Sequence, residues 1–398
     1  MAPFTDTPLS CRHFGPCGGC TLLDQTIATQ LAHKQQRARE LLQPWLDGVE
    51  VGLAMPPRTP RHDRTSILYP AQLVQAPRHT RELQLGIYRR GTHDIEPILD
   101  CRIQHKALTT FGVRAGQVLR ELNLPVYDET THRGFVRGVR ARVTPGTNEL
   151  LVGVISTRAG FSEREKLGKL LWAAACDLKD EQGRMLQLVG VVLNVNATPG
   201  NVLLGDTTVA LRGQTFQWDQ HGELRLRVSF ASFYQQNRHA EVILFRPALA
   251  LLGDVQGLRI VDGYGGVGAF GLRLLRDGAA RVTIVESSPS ACADARASLE
   301  ANAFANGEVR EQEFGSAPLP PCDVLVVDPP RKGLLEPGAA AVLAAAAPRV
   351  LLVSCALESL ARDLQALGAR YRVAAVRLCD LFPHTEHVEA VTLLERRA

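Results

Sequence analysis

The sequence predicts an α/β fold over residues 229–398, on three observations. Short apolar runs recur at 258–262, 282–286, 323–328 and 350–354, each the length of a buried strand. Helix-like stretches separate them, as where Leu357, Leu360, Ala361 and Leu364 share one face. The first run empties into Gly263-Tyr264-Gly265-Gly266-Val267-Gly268, a G-x-G-x-x-G turn. Glycines there allow a tight turn and close approach of a ligand to a helix N-terminus. The expected sheet is therefore Rossmann-like and mostly parallel, with ligands at the carboxyl ends of its strands.

Composition bounds the remaining possibilities. The 398 residues are 45% hydrophobic and 22% charged, ordinary for a globular chain of two or three domains. A net charge of +4 permits nucleic-acid binding without requiring it. No apolar run approaches the ~18 residues of a membrane span. The N-terminus lacks the charged-then-apolar pattern of a secretory signal, so a cytoplasmic address is expected. Nine cysteines in a chain this long are better read as ligands or catalysts than as a disulfide framework.

Taken in order, residues 1–60 form an N-terminal cysteine segment and one helix. Cys11, Cys17 and Cys20 are spaced C-x5-C-x2-C, and Gly18 and Gly19 let two sulfurs face one centre. Three thiolates need a fourth ligand, and the next cysteine is Cys101. Four sulfurs suit zinc or an iron–sulfur cluster, and three clustered plus one remote favour [4Fe–4S] over zinc. Residues 26–42 read as an amphipathic helix with Lys34, Arg37 and Arg39 on its outer side. Residues 56–60 are rich in Pro and Arg and mark a seam.

Residues 61–228 read as a β-rich central domain that contributes the fourth cysteine. Strand patterns fall at 83–88, 134–143, 150–155 and 189–195, with turn signals between them. Alternation puts Arg137 on one side of its strand and Arg140 and Arg142 on the other. Those last two either meet phosphates or solubilise an exposed face.

The third section, 229–398, holds the residues that carry chemistry. Glu286 ends the second strand, 18 positions after Gly268, where a carboxylate can grip ribose hydroxyls. Taken alone, that pattern also fits a nicotinamide-dependent oxidoreductase carrying an iron–sulfur cluster. Asp328 ends the next run and enters Pro329-Pro330-Arg331-Lys332-Gly333, a rigid extended turn with no use in hydride transfer. Cys355 follows the next strand and precedes a helix, whose N-terminus favours thiolate over thiol. An inert buried cysteine is the competing reading there. A last strand is expected at 388–394, and if antiparallel it brings Glu389 to the same edge.

Together, CGGC, SFYQQN, GYGGVGAF, VDPPRKG, VSC…LARDL and FPHTEHVE closely resemble the RNA uracil-C5 methyltransferase family, over Cys11 to the C-terminus. The resemblance implies a class I S-adenosylmethionine-dependent methyltransferase domain, with S-adenosyl-L-methionine held by Gln235, Tyr264, Glu286 and Asp328. It implies Cys355 as nucleophile, Glu389 as general base, and a [4Fe–4S] cluster on Cys11, Cys17, Cys20 and Cys101. Glu386 is the local competitor for the base. The four-cysteine set is similar to the branch acting on 23S ribosomal RNA, so RNA is the expected partner, with transfer RNA as the alternative. No membrane, no second subunit and no TRAM-type barrel before Cys11 are expected. The chain departs from the family's usual pattern at Gly265, Ala269 and Ala356-Leu357, where the family has Cys, Asn and Asn-Pro.

Overall fold

The protein is described here by a computed structural model covering residues 7–57, 60–75, 81–200 and 202–397. Helix α1 (Ile27–Leu46) is capped by Thr26, whose Oγ1 accepts a hydrogen bond from Thr29 N at 3.1 Å. The central domain follows as β1 (Ser66–Gln75), β2 (Arg81–Tyr88), β3 (Ile95–Pro97), α2 (Lys106–Glu121), β4 (Val136–Val143), β5 (Glu149–Ser156), α3 (Arg164–Ala175), β6 (Gln187–Val195) and β7 (Thr207–Gly213). Its seven strands order as β3-β2-β1-β4-β5-β6-β7, antiparallel throughout except for the β5–β6 pair. Helices α2 and α3 cover one face, burying Phe111, Leu119, Leu167 and Leu171 against Val139, Val152 and Val191. These helices interrupt a region that reads as β-rich, and α2 carries the signal for itself: Leu108, Phe111, Ala115 and Leu119 recur at helical spacing.

A hairpin, β8 (Phe216–His221) and β9 (Leu224–Ser229), leads into the C-terminal section. Its Leu224, Leu226 and Val228 join the apolar core of that section rather than the central one. A π-helical turn at Glu241–Phe245 runs into α4 (Arg246–Leu252). The second sheet then forms from β10 (Arg259–Gly263), α5 (Ala269–Arg276), β11 (Arg281–Glu286), α6 (Pro289–Ala301), β12 (Gly307–Glu311), β13 (Val324–Val327), α7 (Leu335–Ala345), β14 (Arg349–Ser354), α8 (Leu357–Leu367), β15 (Tyr371–Cys379) and β16 (Glu389–Arg396). Its order is β12-β11-β10-β13-β14-β16-β15, with β10 to β14 mutually parallel and β16 antiparallel to both neighbours. The chain winds outward from β10 in one direction and from β13 in the other. That reversal opens a crevice at their carboxyl ends, where open α/β sheets bind ligands.

Both faces of this sheet are buried, which is why its strands are continuous apolar runs. One face packs on α4, α5 and the hairpin, the other on α1, α7 and α8. Helix α1 thus lies on the C-terminal sheet, with Ile27, Leu31, Ala38 and Leu42 inserted beside Leu360 and Leu364 of α8. Its supposedly solvated basic side needs correcting. Lys34 is 1% exposed and donates to Asp380 Oδ1 at 2.7 Å and to Phe382 O at 3.1 Å. A buried ammonium keeps its charge only when paired this closely. Arg37 reaches Glu358 on α8, so two of the three cations tie α1 to its neighbours, one to the segment after β15 and one to α8. Among the described residues no helix is long and apolar enough to cross a membrane.

Candidate active site

The crevice between β10 and β13 is built by two turns in contact, with Asp328 N donating to Gly263 O at 3.3 Å. After β10, Tyr264 takes φ +58°, and Gly268 takes φ +82° at the head of α5. A Cβ on Gly268 would stand 2.4 Å from Leu272 Cδ1, so both backbone angle and space demand glycine there. Glu286, at the end of β11, accepts from Gly266 N at 2.9 Å through one oxygen and from Ser287 N and Ser288 N through the other. It therefore braces the glycine turn before any ligand arrives. A narrow cleft opens beside this turn, lined by Phe233, Gln235, Asp262, Tyr264, Phe270 and Asp328. Three of the four residues expected to hold the methyl donor thus line one cleft, and Glu286 anchors its floor.

Asp262 went unnoticed in the sequence, although it is the last residue before the glycine turn. Its Oδ2 accepts from Gly271 N at 2.8 Å, while Oδ1 is buried without a partner. Burial, with Asp328 and Glu286 nearby, lifts this carboxyl to about 7. Asp328 is likewise lifted to about 7 by burial.

Cys355 follows β14 and is half-buried. On the neighbouring strand Ala390 pairs with Ser354, which sets Glu389 and Cys355 side by side at the same edge. Glu389 is 4% exposed, and its Oε2 has no hydrogen-bond partner. Burial first, then the charge of Asp328, raises its carboxyl well above the usual range, while Arg331 pulls the other way. The competitor Glu386 stands exposed in the preceding loop.

The expectation that a helix N-terminus favours the Cys355 thiolate is overturned. Burial and then Glu389 push the thiol up to about 11, with Arg331 opposing and Asp328 adding to the rise. Helix α8 begins at Leu357, after the extended Ala356, so Cys355 lies outside its first turn, where desolvation and two acids oppose ionisation. Sulfur and carboxyl are thus both pushed toward their neutral forms by the same burial.

Comparison with known proteins decides the family. A family model described as tRNA (Uracil-5-)-methyltransferase matches residues 320–397. An uncharacterized RNA methyltransferase of Bacillus cereus is 32% identical over 399 residues, covering 97% of this chain and 83% of its own. One from Halalkalibacterium halodurans is also 32% identical, covering 97% and 82%. The chain belongs to the RNA uracil-C5 methyltransferase family. A crystal structure of Pyrococcus abyssi tRNA (uracil-54, C5)-methyltransferase, in complex with S-adenosyl-L-homocysteine, shares the fold at a TM-score of 0.72 and 24% identity. That match covers 95% of this chain and 86% of the other.

In this family member a second group of cysteines lies far along the chain from Cys355. Cys11, Cys17, Cys20 and Cys101 all line one small cavity of about 20 Å³, walled by Phe14, Leu23, Ile87, Ile98 and Ile103. Gly18 N donates to Tyr88 O at 3.1 Å, tying the CGGC turn to the end of β2, and a Cβ there would sit 2.6 Å from that oxygen. Burial, with the other thiols nearby, raises Cys20 to about 12 and Cys101 to about 11, and Arg64 offsets part of each rise. Among the described residues no three His, Cys, Asp or Glu side chains converge closely enough to share one metal ion. One zinc would draw all four sulfurs to ~2.3 Å of a single point. The four thiols share the wall of one cavity without converging on a point.

The strand arginines of the central domain correct both readings offered for them. Arg140 and Arg142 are 6% and 3% exposed and donate to the carbonyls of Ser229, Ala231 and Ser232. They clamp the link between domains instead of meeting phosphates or water. Arg137 sits at a register shift in β4, donates to Asn196 O, Thr198 O and Gly200 O, and stacks 4.7 Å over Tyr127. The SFYQQN segment is pinned across the same seam: Asn237 donates to Asp63 Oδ2 and Leu381 O, both at 2.9 Å.

Proposed function

We propose that this chain methylates C5 of a uridine in RNA, with S-adenosylmethionine as donor, through a covalent adduct between Cys355 and C6. The observation that carries this reading is the pairing of a thiol and a carboxyl on adjacent strand ends, beside the Asp328 turn. Uracil C5 is too weakly nucleophilic to take a methyl group unaided. Cys355 first gives up its thiol proton to solvent, and addition of the thiolate to C6 then moves the ring electrons toward C5 and O4 as an enolate. The donor supplies an electrophilic methyl, whose bond to sulfur breaks as C5 takes it. Glu389, in its ionised form, then removes the C5 proton; the C5–H electron pair re-forms C5=C6, the C6–S bond breaks to release Cys355 as thiolate, and the carboxyl later passes its proton to solvent. A carboxyl raised by burial is a stronger base than a free one, which suits this step. Arg331 is the cation facing both groups and offsets the charge that appears on each.

Gln235, Tyr264, Asp328 and Glu286 are the residues proposed to hold the donor, on the cleft and glycine turn described above. The base must leave its stack to reach the sulfur. Phe233, 62% exposed at the cleft, offers a surface for it, with exposed Arg331 and Lys332 for phosphates. We further assign a [4Fe–4S] cluster to Cys11, Cys17, Cys20 and Cys101. The reaction has no redox step, so the cluster's part is to hold the CGGC segment against β2 and β3. On the four-cysteine pattern we place the substrate in 23S ribosomal RNA, the protein in the cytoplasm, and the active form as a monomer.

The test is to incubate the protein with labelled donor and purified 23S ribosomal RNA or transfer RNA, and to map the product. Label recovered as 5-methyluridine in 23S RNA is the expected result. Label in transfer RNA alone would move the substrate, and label at a position other than uridine C5 would overturn the reading.

A further inference from the structure

The turn that carries Arg331 is held in place by the helix that follows Cys355. Ser359 Oγ donates to Arg331 O at 2.6 Å. Arg362 Nη2 donates to Ser359 Oγ at 2.9 Å and to Lys332 O at 3.4 Å. The Asp363 carboxylate accepts from Leu334 N through both oxygens, at 3.1 and 3.2 Å. Gly333, at φ +80°, leaves the space that carboxylate needs: a Cβ there would lie 2.7 Å from Asp363 Oδ2. Leu334 O in turn accepts from Tyr264 Oη, on the wall of the donor cleft, at 3.5 Å. Ser359 and Asp363 are both buried. Two prolines stiffen the start of this turn, but nothing in their rings sets where Arg331 to Leu334 go next. Three side chains of α8 do so, one backbone group each.

We infer that Ser359, Arg362 and Asp363 are positioning residues: they register Arg331 against Cys355 and Glu389, so that nucleophile, base and their shared cation move as one body. This rests on the catalytic reading above and deepens it. The helix begins two residues after the sulfur, so any slip of the turn relative to α8 is a slip of the guanidinium relative to the thiol. Misplacement by about 1 Å can cost about 100-fold in rate. The charged and titratable groups facing this spot are Asp328 and Arg331 on the turn, Glu389 on β16, Cys379 on β15 and His387 in the loop before β16. Weakening Arg331's hold leaves the carboxyls unopposed, so the thiol should ionise less readily still.

The experiment compares the full-length wild type with Ser359→Ala, Asp363→Ala and Asp363→Asn. It measures single-turnover adduct formation on 5-fluorouridine RNA across pH, S-adenosylhomocysteine binding, and thermal melting. Ser359→Ala and Asp363→Ala should form adduct about 10- to 100-fold more slowly at saturating RNA, with the pH profile moved to higher pH. Donor binding should change little. Asp363→Asn, which keeps an acceptor oxygen for Leu334 N, should recover most of the rate. Variants that keep the wild-type rate and profile, or lose rate only in proportion to melting, overturn the inference while leaving the adduct chemistry standing. A wild type that forms no adduct overturns the chemistry itself.

Discussion

Two groups of cysteines in this chain are buried to a similar degree and answer to different neighbours. Cys355 and Cys101 are both pushed up to about 11 by desolvation. Around Cys101 the charged groups acting on the sulfur are Arg64 and then the Cys17 thiol, at a cavity walled largely by apolar side chains. Around Cys355 they are two carboxyls and Arg331, on an open sheet edge. The first arrangement can only share charge with something that enters and binds all four sulfurs. The second can pass a proton and balance a transient charge, which is what a nucleophile in a two-step substitution needs. Burial alone therefore does not separate the ligand role proposed for Cys101 from the catalytic role proposed for Cys355; the neighbouring groups do.

The sharpest way to break that distinction is to remove each sulfur in turn. Cys355→Ala should lower methyl transfer by more than about 1000-fold while leaving visible absorbance and melting unchanged. Loss of the chromophore in this variant would merge the two groups. Glu389→Gln should slow turnover by about 100- to 10,000-fold and let the RNA adduct accumulate. An untrapped, fully active Gln variant would remove Glu389 from the chemistry. The same substitution bears on stability. A carboxyl whose folded pKa is raised binds its proton more tightly when folded, so it favours folding at low pH. That contribution is lost as pH climbs from the unfolded carboxylate value through the folded one. Glu389→Gln should therefore melt at a higher temperature than wild type at pH 8 and match it near pH 4.

Smaller effects sharpen the comparison from the other side. Cys101→Ser should abolish the visible absorbance of anaerobically purified protein and lower its melting temperature, yet slow adduct formation on folded enzyme by less than about tenfold. A colourless wild type containing zinc would replace the cluster. The rate of adduct formation should rise with pH from neutrality toward the raised thiol value of about 11. A rate independent of pH between 6.5 and 9 would mean a thiol already ionised at rest, contrary to its surroundings.

Much of the catalytic sheet is legible in the sequence, because buried parallel strands announce themselves as unbroken apolar runs and their turns carry Gly, Asp-Pro-Pro and Cys. Glu389 is legible only with a further step, the reversal of β16, which places a strand start where the other strands end. The central domain is less so: its arginines alternate as solvent-facing residues do, and only the fold reveals the carbonyls that consume them. Lys34 illustrates the same limit, since its partner Asp380 lies 346 residues away and no local periodicity reports it. The ionisation of Cys355 fails for a related reason. Helix ends are visible in a sequence, whereas two carboxyls converging from separate strands are not.

The most direct measurement is covalent trapping. RNA carrying 5-fluorouridine, incubated with the protein and methyl donor, offers no C5 proton to abstract after methyl transfer. A conjugate that survives denaturation and maps by mass spectrometry to the Cys355 peptide is the expected result. A conjugate through another cysteine, or methylated RNA with none formed, would contradict the account.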